Sequence, residues 1–529
     1  MRYRCLSCEQ SFEVTGGDKP RCPTCLRQHG LEVEGAAPPT VARGARPDRR
    51  RRLGLVLAVA GVALGLGGAG FFWLHRRALP KPGELALLDG RDIARTLERR
   101  GVPRSEALDL FELTPELRRL VDVPRTGDAV ARARGIASQL ASRLAKVRVE
   151  TDVHARGLVR TPPELVAELA AGKLVRATSF ELATLVVTLL RGARLEAVLA
   201  EVHLLKGRLR AADPTGVLGR YVAVVYAAGQ LGRTPALVLD PARAAQLPRC
   251  TGGRDAEMTS AAESLVPLDD ASAAAHLLSL RALAASQEAA AGARAYELSR
   301  FAVAGAAPSP TVQMAQALVI ARVGGGGDAL AAARRAVALR DDAARRTALA
   351  RLLLAEGHAA EAVTHLEQAL KQDGTFFQAH GVLATVRWFV GEQQQGDRHL
   401  QAALGLCGEA ASIQALQATW HLARGELDPA IRRLERVVAE GPSEQTLLQL
   451  YWALRQKGEA ARATKVRERL LSFSGDAARA RKALEAMDQA LAGAAKGAAK
   501  GAGEPAAEGS APPPALPPKL KLPDVSLGR

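Results

Sequence analysis

Small residues recur through the second half of this 529-residue chain at a nearly fixed interval. Ala329, Ala362, Gly396, Ala430 and Ala463 stand 33, 34, 34 and 33 residues apart. A second set, Ala336, Ala369, Ala403, Val437 and Leu470, follows each member of the first by seven residues. Gly324, Gly357, Gly391, Gly425 and Gly458 precede the first set by five every time. A period of this length marks a stacked array, because a unit too small to bury its own apolar face must bury it against its neighbours. Small residues seven apart lie on one helix face and let a partner helix approach closely, while the glycine closes the turn between the two.

The pattern resembles the tetratricopeptide repeat, whose 34-residue unit is a pair of antiparallel helices. Ala350 and Ala384, and Leu366, Leu400 and Leu434, fall on the core positions of that repeat, and Pro442 falls on its closing proline. Gln417 and Arg467 depart from it, standing where large apolar residues are usual. A degenerate earlier unit begins near Ser272, with Ala295 and Ala302 in the matching places. The resemblance implies an α-solenoid over residues 272–473 with a concave groove for proteins or peptide segments. Gly324 to Gly327 lacks the Lys-Ser/Thr of a phosphate loop and reads as an inter-helix turn.

The N-terminus carries different chemistry. Cys5-Leu-Ser-Cys8 and Cys22-Pro-Thr-Cys25, separated by 13 residues, supply four soft thiolates, the set that favours tetrahedral Zn²⁺. With all four places taken by Cys5, Cys8, Cys22 and Cys25 no position stays open, so the zinc is expected to be structural. Disulfides or free thiols are the alternative. A head of residues 1–35 is too small to fold on apolar burial alone, and the metal would supply much of its folding free energy. The expected form is a short hairpin with Phe12 and Val14 on one strand and a turn at Gly16-Gly17-Asp18. It resembles the zinc-ribbon heads that open many bacterial membrane proteins.

A basic linker, 36–52, leads to an uncharged 22-residue segment, Leu53 to Leu74. As a helix it would run ~33 Å, enough for the hydrocarbon core, with Phe71, Phe72 and Trp73 at one interface. Six arginines within 40–52, against Arg76, Arg77 and Lys81 beyond the span, favour a cytoplasmic N-terminus. A reduced four-cysteine site belongs on that side too. The expectation is a single-pass protein of a bacterial inner membrane with its body in the periplasm. Gly61 and Gly65 form a G-x-x-x-G that would allow a homodimer, although so glycine-rich a span produces this spacing by chance. The net charge of +17 is dispersed and aromatics make up only 4%, too few for a stacking platform, so nucleic acid is excluded as the main partner.

Residues 75–127 read as a linker with short helices. A helix over Ala129–Leu144 follows, then Pro162-Pro163-Glu164 opening a second helix and Ser179 opening a third. Strand-like runs cover Glu196–Leu205 and Tyr221–Tyr226, and Leu239-Asp240-Pro241 ends a later one. Over residues 128–250 this resembles the α+β transglutaminase-like cysteine hydrolases, in which a nucleophilic Cys opens a helix, a His opens a strand and an Asp precedes a proline. Matched onto this chain, Ser179 stands for the Cys, Arg220 for the His, and only Asp240 is retained. Arginine stays protonated at any working pH and cannot serve as the base. The resemblance therefore implies an inactive domain with vestigial positions Ser179, Arg220 and Asp240, which His203 would rescue only through unusual geometry.

Cys250 and Cys407 are expected to be free thiols, with pairing the alternative if the body is exported, and residues 492–529 a disordered Ala/Gly/Pro-rich tail. The chain as a whole reads as a multidomain, mostly α protein. Its expected function is a scaffold joining a cytoplasmic partner of the zinc ribbon to envelope partners of the groove. A transglutaminase-like hydrolase or transferase, and a transmembrane sensor, are the alternatives.

Overall fold

A computed structural model describes strand residues 2–5, 11–13 and 31–33, and residues 84–501 except 108, 123–125, 150–158, 172–174, 206–219, 246–261 and 475–476. The chain divides into two units, Met1–Ala78 and Leu79–Arg529. In the first, β1 (Arg2–Cys5) lies between β2 (Ser11–Glu13) and β3 (Leu31–Val33), antiparallel to both, with Tyr3 opposite Phe12 and Val33. Cys5 closes β1. Cys8, Cys22 and Cys25, and the span 53–74 with Gly61 and Gly65, lie outside the described residues. Among the described residues no helix is long and apolar enough to cross a membrane.

The second unit opens with α1 (Gly90–Arg99), α2 (Pro115–Arg118), α3 (Ala129–Leu144), β4 (Arg148–Val149), α4 (Pro162–Ala170), β5 (Arg176–Ala177) and α5 (Ser179–Gly192). Strands β6 (Glu196–Leu205), β7 (Arg220–Tyr226), β8 (Leu237–Leu239) and β9 (Ala262–Pro267) form an antiparallel sheet in the order β8-β7-β6-β9. The fourth strand thus comes from beyond residue 250, where the sequence pattern placed the end of the domain. Helix α5 packs on β7 and is buried at every residue from Ser179 to Leu190, as an apolar pattern on all faces requires. Residues 75–127 do more than connect, since Ile93, Leu97, Leu110 and Leu117 are fully buried in the same core.

Twelve helices follow as six pairs. They are α6 (Asp270–Ala285) with α7 (Gly292–Gly305), α8 (Pro310–Arg322) with α9 (Gly326–Leu339), and α10 (Ala343–Ala355) with α11 (Ala359–Gln372). Next come α12 (Phe377–Phe389) with α13 (Gln393–Cys407), α14 (Ala411–Ala423) with α15 (Leu427–Glu440), and α16 (Glu444–Gln456) with α17 (Ala460–Phe473). The five phased glycines sit at the turn within each of the last five pairs, with φ between +75° and +97°. That is the left-handed conformation that ends a helix, so the spacing of glycine follows from turn geometry. The small-residue set has an equally direct cause: a side chain on Gly396 would meet the Ala384 carbonyl and the Trp388 backbone across the pair.

Two expectations are corrected. Helix α18 (Ala477–Gly501) continues ten residues into the stretch expected to be disordered from Ala492, because its alanines and lysines are strong helix formers. Cys407, expected to be a free thiol, is half of a disulfide, and its partner lies outside the described side chains. One buried core runs without a break from Ile93 to Val386, through the α/β part and on into the first four helix pairs.

Candidate functional site

Ser179, Arg220 and Asp240, separated by up to 61 residues in sequence, converge at the point where α5 meets the sheet. A capping box sets the first of them. Thr178 Oγ1 accepts from the Glu181 N–H, and Glu181 accepts from the Thr178 N–H at 2.7 Å, which makes Ser179 the first helical residue. Ser179 Oγ accepts the backbone N–H of Tyr221 at 3.3 Å, so the hydroxyl lies against the start of β7. Arg220 opens β7 and Asp240 follows β8, the adjacent strand.

Arg220 and Asp240 bind each other. Arg220 Nη2 donates to Asp240 Oδ2 at 2.7 Å and Nε to the same oxygen at 3.3 Å, while Asp240 Oδ1 accepts the Ala242 N–H. The pair is 3% and 0% exposed, so it is closed to solvent. An ion pair in this place holds two strands together and supplies neither base nor nucleophile. His203 belongs to β6, but its side chain lies outside the described residues.

A second polar group joins this centre to the helix array. Tyr221 Oη lies 2.6 Å from Nδ1 of His276 on α6, with the two rings edge to face, and Tyr221 also meets Phe180 edge to face. Beside it, Glu201 of β6 pairs with Arg345 of α10 at 3.2 Å and with the Thr311 hydroxyl of α8. Arg345 Nη2 also donates to Thr311 at 2.7 Å, and its Nη1 reaches Asp342. On the far side of α5, Arg191 forms a two-pronged pair with Asp270 at 2.7 and 2.8 Å, and Phe111 lies under its guanidinium. Further along, a side chain on Gly441, in the α15–α16 turn, would meet the Arg176 guanidinium of β5. The array therefore packs against the α/β part through charged and hydrogen-bonded groups as well as apolar ones.

His276 is fully buried, and its Nε2 has no hydrogen-bond partner. Burial holds its imidazole below the usual pKa, against the opposing pull of the Glu201 and Asp269 carboxylates and with the help of Arg345. The sign follows from linkage. The folded state keeps the ring neutral while the unfolded chain takes up a proton, so this group's stabilisation is complete above about pH 6.5 and is lost as the pH falls below it. Replacing His276 with glutamine is expected to flatten the fall in melting temperature between about pH 7 and about pH 5.5. A slope unchanged in H276Q would show that other groups carry the acid sensitivity.

Among the described residues no group of three or more His, Cys, Asp or Glu side chains is arranged to hold a metal. No family model and no curated protein sequence matches the chain. Solved structures with likenesses include a tetratricopeptide repeat protein from Parabacteroides merdae, at 14% identity and a TM-score of 0.33, covering 40% of this chain and 83% of that one. The pilF protein of Pseudomonas aeruginosa has 17% identity and a TM-score of 0.29, with 39% of this chain and 95% of that one covered. The Cut9–Hcn1 hetero-tetramer of the APC/C has 13% identity and a TM-score of 0.34, with 40% of this chain covered but only 42% of that one.

Proposed function

We propose that this chain is a membrane-anchored interaction scaffold whose transglutaminase-like part is catalytically silent. The observation that carries the reading is the buried Arg220–Asp240 pair, which fills the place where a base and its orienting carboxylate would stand. Six helix pairs then offer a long surface for proteins or peptides, the use to which such arrays are suited. In this reading Cys5, Cys8, Cys22 and Cys25 hold a structural zinc that presents the head to a cytoplasmic partner. The Leu53–Leu74 segment anchors the chain in the bilayer, with Gly61 and Gly65 available for helix pairing. The disulfide at Cys407 supports a body on the oxidising side of the membrane, where such bonds persist.

One experiment on membranes carrying the full chain tests both halves of the proposal. A fluorophosphonate is expected to leave Ser179 unlabelled, and alkaline phosphatase fused after Lys81 is expected to be active. Stoichiometric labelling of Ser179 would overturn the silent-domain reading, and an inactive fusion would overturn the envelope location.

A further inference from the structure

We propose that His380 and His399 form a two-imidazole chelate for a borderline divalent transition ion, Cu²⁺ or Ni²⁺ ahead of Zn²⁺. The argument begins with the repeat. Residues 346, 380 and 414 occupy one position in three successive units, and 365, 399 and 433 another, all at intervals of 34. In each unit the two positions face each other across the helix pair. Arg346 meets His365 at 3.1 Å, His380 meets His399 at 3.0 Å, and Arg433 donates to Gln414 at 2.8 Å.

The outer two rungs each contain a guanidinium, a donor with no lone pair, so neither can take a cation. Only the middle rung brings two imidazoles together, and it does so Nδ1 to Nδ1. His380 Nε2 lies 3.2 Å from the Gly374 carbonyl, so that nitrogen carries the proton and leaves Nδ1 with its lone pair facing His399. A ring N–H on a backbone carbonyl is the outer support that metal-bound histidines use. Without metal, His399 donates its own Nδ1 proton to His380; when an ion binds, that proton is released to solvent and Nε2 takes one up, so His399 ligates through Nδ1 as a neutral imidazole.

The geometry favours particular ions. Two nitrogens 3.0 Å apart, each about 2.05 Å from a shared ion, subtend an angle of about 94°. That is near the right angle of tetragonal Cu²⁺ and Ni²⁺ and short of the tetrahedral angle of Zn²⁺. The Glu367 carboxylate is engaged by Arg387 at 2.7 Å, so water would fill the remaining positions. A bound ion would clamp α12 to α13 in the middle of the array.

The test uses the full chain after zinc is withdrawn by a chelator and the N-terminal cysteines are alkylated, so that they do not compete. Titration with Cu²⁺, followed by electron paramagnetic resonance, is expected to show one site with superhyperfine structure from two nitrogens and a raised melting temperature. Removing either imidazole, in His380→Gln or His399→Gln, is expected to weaken that site by more than the roughly 10- to 100-fold typical of losing an outer-shell partner. His365→Gln, one rung away, is expected to bind as wild type does, provided all three variants keep the wild-type helical circular dichroism. Equal binding by wild type, H380Q and H399Q, or no two-nitrogen signal in the wild type, would overturn the proposal.

Discussion

Replacing Arg220 with methionine is expected to cost about 3–5 kcal/mol, the usual price of stranding one member of a buried ion pair. Asp240 would stay wholly buried with only the Ala242 N–H to satisfy it. The double variant R220M/D240L removes both charges together and is expected to recover most of that loss, because well-packed apolar residues often replace buried pairs at little cost. Urea midpoints at unchanged m-value measure both effects. If the single variant lost less than about 1 kcal/mol, as exposed pairs do, the pair would be solvated and the closed centre would not exist. This matters for function as well as stability. A centre with a His base needs a polar, reachable site, whereas Arg220 and Asp240 form a closed clamp between two strands.

What the sequence revealed depended on how local each signal was. Ser179 was legible from Ala183 four residues after it and from Leu189-Leu190-Arg191 on a later turn of the same helix, and Asp240 because a proline follows it at a strand end; the capping box of Thr178 and Glu181 is what the structure adds. The strand boundaries Glu196 and Tyr226 could be read from runs of β-branched and aromatic residues. The repeats were legible because steric demands recur with them: a glycine at each left-handed turn and a small residue at each close crossing. The joining groups left no such trace. Glu201 and Arg345 are 144 residues apart and Tyr221 and His276 are 55 apart, and neither spacing follows a helix or strand period. The one available hint was a glutamate inside the apolar run of β6, a residue that is rarely buried unless paired. The His380–His399 pair was hidden differently. Each histidine lies in phase with its repeat, but only the facing of the two positions across the turn turns them into a pair.

Arg345 provides the other large effect, because it decides whether the α/β part and the array fold as one body. Its guanidinium is 5% exposed and holds Glu201, 4% exposed, from a helix that belongs to the third pair of the array. Arg345→Met would take the paired guanidinium away from a buried carboxylate, a loss of about 3–5 kcal/mol. An array of independent repeats would confine such damage to its neighbours, since stability there is a sum of local terms. Here the core is continuous from Ile93 to Val386, so the loss is expected to appear in both parts together. Hydrogen exchange on R345M is the measurement. The slowest amides of β7 and of α12 are expected to lose protection by the same free energy, because both exchange through the same global opening. If α12 kept wild-type protection while β7 lost it, the two parts would open separately. The array would then be a solenoid beside a domain, and the seam of Glu201, Thr311, Arg345, Tyr221 and His276 a contact between them instead of part of a shared core.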